Sequence, residues 1–70
     1  MKDRIKAIRE HFHLTMDGFG ARIGIKKSSV SLLESGKNEP SERTILAICR
    51  EFEVNETWLR TGEGDMFDQS

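Results

Sequence analysis

The stretch from Thr15 to Gly36, TMDGFGARIGIKKSSVSLLESG, constrains the fold more than any other part of the chain, because it holds two short amphipathic segments broken by a glycine. Phe19 and Ile23 stand four apart in the first segment, and Val30 and Leu33 stand three apart in the second. Each segment therefore offers one apolar stripe to a shared interior. Gly24 falls where the first helix must stop and the chain reverse, a place where a positive φ is needed and a side chain would strain the turn. Gly20, one turn earlier on the same helix, lets the second helix cross closely.

The remaining segments extend this helical design in both directions. Helix one is expected over 2–11, with Ile5, Ile8 and Phe12 burying one face and Lys2, Lys6, Arg9 and Glu10 left to solvent or partners. Leu14 tucks the turn and Thr15 caps helix two, although a full capping box is missing because Gly18 stands where Glu or Gln would close it. Gly18 and Gly20 together weaken that helix by roughly 1.5 to 2 kcal/mol relative to alanine, so it depends on tertiary packing. Helix three is expected over 27–35 with Gly36 as its stop. Ser41, after Pro40, caps a fourth helix running to about residue 53, on which Ile45, Leu46, Ile48, Cys49 and Phe52 make a broad apolar stripe and Arg43 and Arg50 take the solvent side. Asn55 caps a short fifth helix over 56–61 that Gly62 ends. Trp58 and Leu59 are too apolar for a free surface, so one closes the core and the other is available to a second subunit.

With no tyrosine, one proline and no run of alternating β-branched residues, the chain reads as all-α, a compact five-helix bundle. Seventy residues allow one small domain, placed at 1–64, with an acidic tail at 65–70. In that tail Met66 and Phe67 form an apolar pair that packs back, meets a partner or leads into a continuation. At this size the core is marginal, and an oligomer interface is a natural supplement. No window reaches the length of a membrane span and the charged N-terminus lacks the apolar centre of a signal peptide, so a cytoplasmic protein is expected.

Several chemistries find no support. The single cysteine, Cys49, has no internal disulfide partner and reads as a small core residue. His11 and His13 alternate at a helix end and point to different sides, in solvated or capping roles, so no metal site is expected. No nucleophile, base and orienter occur in a legible arrangement and no phosphate-cradling glycine loop is present. Neither an enzyme, a cofactor nor a small-molecule ligand is expected.

Charge points elsewhere. The chain sums to −1, yet residues 1–38 carry eight basic and four acidic side chains, a balance of +4, while residues 39–70 carry three basic and eight acidic, a balance of −5. The basic half contains the crossed helix pair. Lys26 and Lys27 fall at the start of its second helix, where the dipole disfavours cations by about 0.3 to 1 kcal/mol each and where Ser, Thr, Asp or Asn would cap free amides. Their placement argues against a purely structural role, although a solvated helix with two surface lysines also fits it. Ser28, Ser29 and Ser31 are small hydrogen-bonding side chains that let a helix approach base edges and phosphates. Two helices joined in this way form a helix-turn-helix (15–36), whose second helix can lie in a DNA major groove.

Leu14–Thr15, F-G-A-R-I-G-I from Phe19 to Ile25, S-V-S-L-L-E-S-G-K from Ser29 to Lys37, Pro40–Ser41 and V-N-E-T-W-L-R-T-G-E-G from Val54 to Gly64 occur in one order and spacing. In these segments the chain resembles the phage-repressor/Cro-type helix-turn-helix family, the xenobiotic-response-element family of bacterial regulators, from about Lys2 to Phe67. The resemblance implies a lambda-repressor-like bundle that binds a palindromic operator in double-stranded DNA as a homodimer, mostly to repress transcription. It implies a pair between Arg9 and Glu34 that ties helix one to helix three and holds the guanidinium towards a phosphate. Base reading falls to Lys26, Lys27, Ser28 and Leu32, and phosphate contact to Arg9, Lys27, Ser29, Lys37 and Asn38. Leu32 either meets a thymine methyl or packs against a neighbour. Dimer contacts are expected among Trp58, Leu59, Met66 and Phe67. Two positions depart from the family pattern, since Met16 replaces a phosphate-contacting glutamine and Glu39 stands where a basic residue is common. A protein-interaction module, using exposed Met16 and Leu32 on the same fold, is the alternative.

Overall fold

In the computed structural model, which describes residues 1–67, five helices follow one another as α1 (Lys2–His11), α2 (Met16–Ile23), α3 (Lys27–Ser35), α4 (Glu42–Phe52) and α5 (Glu56–Thr61). Residues 68–70, the end of the expected tail, lie outside the described residues. Local chemistry sets the helix ends. Thr15 Oγ1 accepts from Gly18 N at 3.0 Å, so α2 is capped without the reciprocal half of a capping box. Ser41 Oγ accepts from Thr44 N at the start of α4, and Asn55 Oδ1 from Thr57 N at the start of α5. At the other ends, Gly24 stops α2 with φ 80°, as the turn demands, while α4 stops on Glu53, a non-glycine residue at φ 56°.

Every helix contributes to one core. Ile5 and Ile8 of α1, Phe19 of α2, Val30 and Leu33 of α3, Ile45, Ile48 and Phe52 of α4, Val54 of the α4–α5 connection and Leu59 of α5 are buried together. The rings of Phe19 and Phe52 stack at 5.1 Å with 3° between their planes, joining α2 to α4. The helices form an all-α bundle of the lambda-repressor-like type. α2 and α3 approach so closely that a Cβ on Gly20 would lie 2.5 Å from the carbonyl oxygen of Ile25 and 3.1 Å from Val30 Cγ2. This is the close crossing for which a glycine was expected, and Ile25 N donates to Gly20 O across it at 2.9 Å.

Two apolar residues expected inside lie further out. Phe12 is 37 % exposed, because α1 ends at His11 and Phe12 is its C-cap; its ring packs over Phe52 at 5.1 Å and meets Phe67 edge-on at 5.8 Å. Leu46 is 42 % exposed, because the buried stripe of α4 runs through Ile45, Ile48 and Phe52 and turns position 46 outward, beside Arg43, Ala47 and Arg50. Cys49 is half-buried against the core rather than within it.

Met66 and Phe67 pack back onto the body. Asn55 N donates to Met66 O at 2.8 Å, Val54 and Phe67 form an isolated antiparallel bridge, and the Phe67 ring lies 4.8 Å from that of His11. The packed body therefore runs past Gly64 to Phe67. Arg4 secures the other side of α5, its Nε donating to Leu59 O at 2.9 Å and its Nη2 to Arg60 O at 3.2 Å. Arg60 in turn bridges Glu42 of α4 and Glu56 of its own helix, at 2.5 and 2.7 Å.

Candidate nucleic-acid interface

Of the four helices that follow a turn, α3 alone begins without a side-chain cap. Lys26 occupies the N-cap position in extended backbone geometry (φ −80°, ψ 157°), and its ammonium group has no acceptor role to offer the first-turn amides. Those amides and the positive end of the helix dipole are left to solvent or to an anion. Lys26, Lys27 and Ser28 are all exposed here, and Ser31 continues the exposed face one turn on. Ser29 is half-buried, on the flank of the helix towards the buried Val30.

Leu32 is half-exposed and does not join the apolar residues packed against the core. Its carbonyl accepts from Lys37 N at 3.1 Å, Asn38 N at 3.3 Å and Ser35 Oγ at 3.1 Å. These bonds fold the chain after α3 back over the helix end and fix the exposed Lys37 and Asn38 beside it. A single rigid unit therefore carries Lys26, Lys27 and Ser28 at one end, Leu32 in the middle and Lys37 and Asn38 at the other.

Arg9 and Glu34 meet as a two-pronged pair. Arg9 Nε donates to Glu34 Oε2 at 2.7 Å and Nη2 to Oε1 at 3.1 Å, while Nη1 donates to Leu14 O at 3.0 Å. The side chains are only 15 % and 5 % exposed. The hydrogen bond to Glu34 raises the pKa of Arg9 above its ordinary value, against a smaller opposing effect of desolvation. Three of the five guanidinium N–H groups are thus engaged, and two make no hydrogen bond within the described residues. The pair joins α1 to α3 and, through Leu14 O, fixes the turn that leads into α2.

The other expected residues divide by burial. Leu59 is fully buried and leaves the list of surface candidates; it is the one of the Trp58–Leu59 pair that closes the core. Trp58 is half-buried, and Met66 and Phe67 are half-buried against the body. Met16 is half-buried and packed against the core, so it offers only part of its side chain to an apolar patch with Leu32. The sequence reading missed the tie between Arg22 and Glu51 at 3.0 Å, with the Arg22 guanidinium 5.1 Å over the Phe52 ring, and the Arg60 bridge. The 29-residue separation of the first pair left no local spacing to read. Among the described residues, no group of three or more His, Cys, Asp or Glu is placed to hold a metal ion, and no helix is long and apolar enough to cross a membrane.

The comparisons with known proteins agree with this geometry. An HTH-type transcriptional regulator of Archaeoglobus fulgidus is 35 % identical over 52 residues, covering 74 % of this chain and 73 % of the relative. The HTH-type transcriptional regulator YgzD of Bacillus subtilis is 30 % identical over 54 residues, 77 % of this chain and 82 % of the relative. A regulator for conjugative element R391 from Providencia rettgeri is 33 % identical over 66 residues, which are 94 % of this chain but 30 % of that protein. No solved structure gives a significant match. The model of the helix-turn-helix family matches residues 5–59, from the first buried isoleucine of α1 to the buried leucine of α5, and the chain belongs to that family.

Proposed function

We propose that this chain binds a specific, roughly palindromic site in duplex DNA as a homodimer and acts in transcriptional control, mostly as a repressor of the Cro type. The observation that carries the reading is the α3 N-terminus, where Lys26 stands in place of a cap and Lys26, Lys27 and Ser28 are exposed together. On an isolated surface helix that arrangement loses stability; in a major groove the same cations meet guanine O6 and N7 or phosphate. Lys26, Lys27, Ser28 and Leu32 read bases, Leu32 through contact with a thymine methyl. Lys27, Ser29, Lys37, Asn38 and the two remaining N–H groups of Arg9 hold the backbone. Two copies place one α3 in each half-site with centres about 34 Å apart, and Trp58 supplies an apolar contact for the second copy. The protein-interaction alternative is weakened at Met16, which is half-buried and packed against the core.

Selection of bound duplexes from a random pool, at moderate salt and with the 70-residue protein, tests the proposal. An inverted repeat with half-sites one helical turn apart is the expected product. Absence of enrichment from a protein that is helical and folded by circular dichroism would overturn it.

A further inference from the structure

Lys2, Lys6 and Arg9 lie at four- and three-residue spacing on α1, which puts them along one stripe of that helix. Two contacts fix where the stripe runs. At one end Arg9 is locked to Glu34 in the last turns of α3. At the other, the Lys2 side chain lies over Gly36, close enough that a Cβ there would stand 3.0 Å from Lys2 Cδ and 3.8 Å from Nζ. The stripe thus follows the C-terminal half of α3 and reaches the loop that presents Lys37 and Asn38. Lys6 lies between the two anchors and is exposed, as is Lys2.

Neither lysine has an ion-pair partner among the described residues. The acidic groups nearby are accounted for. Glu34 is occupied by Arg9, while Asp3 and Glu10 are exposed on α1 and make no ion pair with either lysine; Glu39, across the cleft that Lys2 shares with Ser35 and Asn38, is also unpaired with it.

We infer that Lys2 and Lys6 form, with the two remaining N–H groups of Arg9, a phosphate track on α1 that grips the DNA backbone beside the recognition helix. The inference rests on the DNA-binding reading above and adds α1 to it as a second cationic edge. It also bears on Met16 and Glu39, which replace the glutamine and the basic residue of the resembled family. Phosphate contacts that the family pattern places at α2 and the loop are here supplied from α1.

The test measures affinity for a random-sequence duplex by fluorescence anisotropy across a salt series. Wild type is compared with Lys2→Gln/Lys6→Gln, with Lys2→Arg/Lys6→Arg, and with a control of equal charge change on the outer face of α4, Arg43→Gln/Arg50→Gln. Each lost phosphate contact removes about 0.9 from the slope of log affinity against log salt, so the first variant should lose about 1.8. Between about 50 and about 200 mM salt its affinity then falls roughly twelve-fold less than that of wild type. The arginine variant should keep the wild-type slope and the α4 control should change it by less than about 0.5. Equal slopes for the glutamine variant and the α4 control overturn the track while leaving the DNA-binding reading standing. Wild type without salt-dependent duplex affinity overturns both. A melting temperature lowered by Lys2→Gln/Lys6→Gln with an unchanged slope assigns Lys2 to capping the C-terminus of α3 and overturns the track.

Discussion

Arg9 holds three elements at once, because its guanidinium reaches Glu34 on α3 and the Leu14 carbonyl before α2 while its stem starts on α1. Truncating it strands a carboxylate that is only 5 % exposed. Arg9→Ala should therefore destabilise the fold by about 2 to 4 kcal/mol, measured by urea unfolding followed by circular dichroism. Replacing both partners, as Arg9→Leu/Glu34→Leu, should recover at least half of that loss, since no charge is then left unpaired. A single variant with a wild-type urea midpoint would show that the pair does not hold the helices together. The family resemblance placed this pair in the sequence. Nothing local did, since the partners stand 25 residues apart.

At the scale of elements, α2 to α5 were legible because each carries a boundary signal, Thr15, Ser41 and Asn55 as caps and Gly24, Gly36 and Gly62 as stops, whereas α1 has neither and was legible from the spacing of Ile5 and Ile8. What escaped was the orientation of residues at a stripe's edge. Leu46 is adjacent to Ile45 in sequence, and apolar character alone did not show that α4 turns it to solvent. The ties between distant elements were equally hidden, since Arg60 meets Glu42 18 residues away. This tie gives the fold a pH dependence with a definite sign. The hydrogen bond from Arg60, and then its charge, holds the Glu42 carboxyl below its ordinary range. A group whose pKa is depressed by folding contributes stability above its unfolded pKa and loses it as pH falls through the folded one. Arg60→Gln should therefore lower the melting temperature near neutral pH and flatten its decline between about pH 5 and about pH 3. Parallel wild-type and variant profiles over that range would remove Glu42 from the acid response.

For the molecule as a whole, the near-zero net charge conceals how its cations are used. Arg22 and Arg60 are held in ion pairs with carboxylates, and Arg4 donates to carbonyls at the end of α5. Lys2, Lys6, Lys26, Lys27 and Lys37 have no ion pair among the described residues, and all five belong to the half of the chain that holds the helix-turn-helix. On the proposed reading, affinity for duplex DNA follows these local cations and the salt concentration rather than the net charge. Lys27→Ala should weaken binding to every duplex sequence and reduce the salt slope by about 0.9, read by the same anisotropy titration. Equal affinity of variant and wild type throughout the salt series would exclude Lys27 from the interface.

Trp58 gives the protein a built-in optical reporter. The chain has one tryptophan and no tyrosine, so its near-ultraviolet emission arises from a single indole. That indole sits half-buried on α5, the helix that Arg4 and Arg60 fasten to the rest of the bundle. Loosening of α5 should move the emission to longer wavelength, whereas a second molecule settling over the ring should move it to shorter wavelength, to an extent that rises with protein concentration and then saturates. Undocking and self-association can thus be told apart by colour, without attaching a dye.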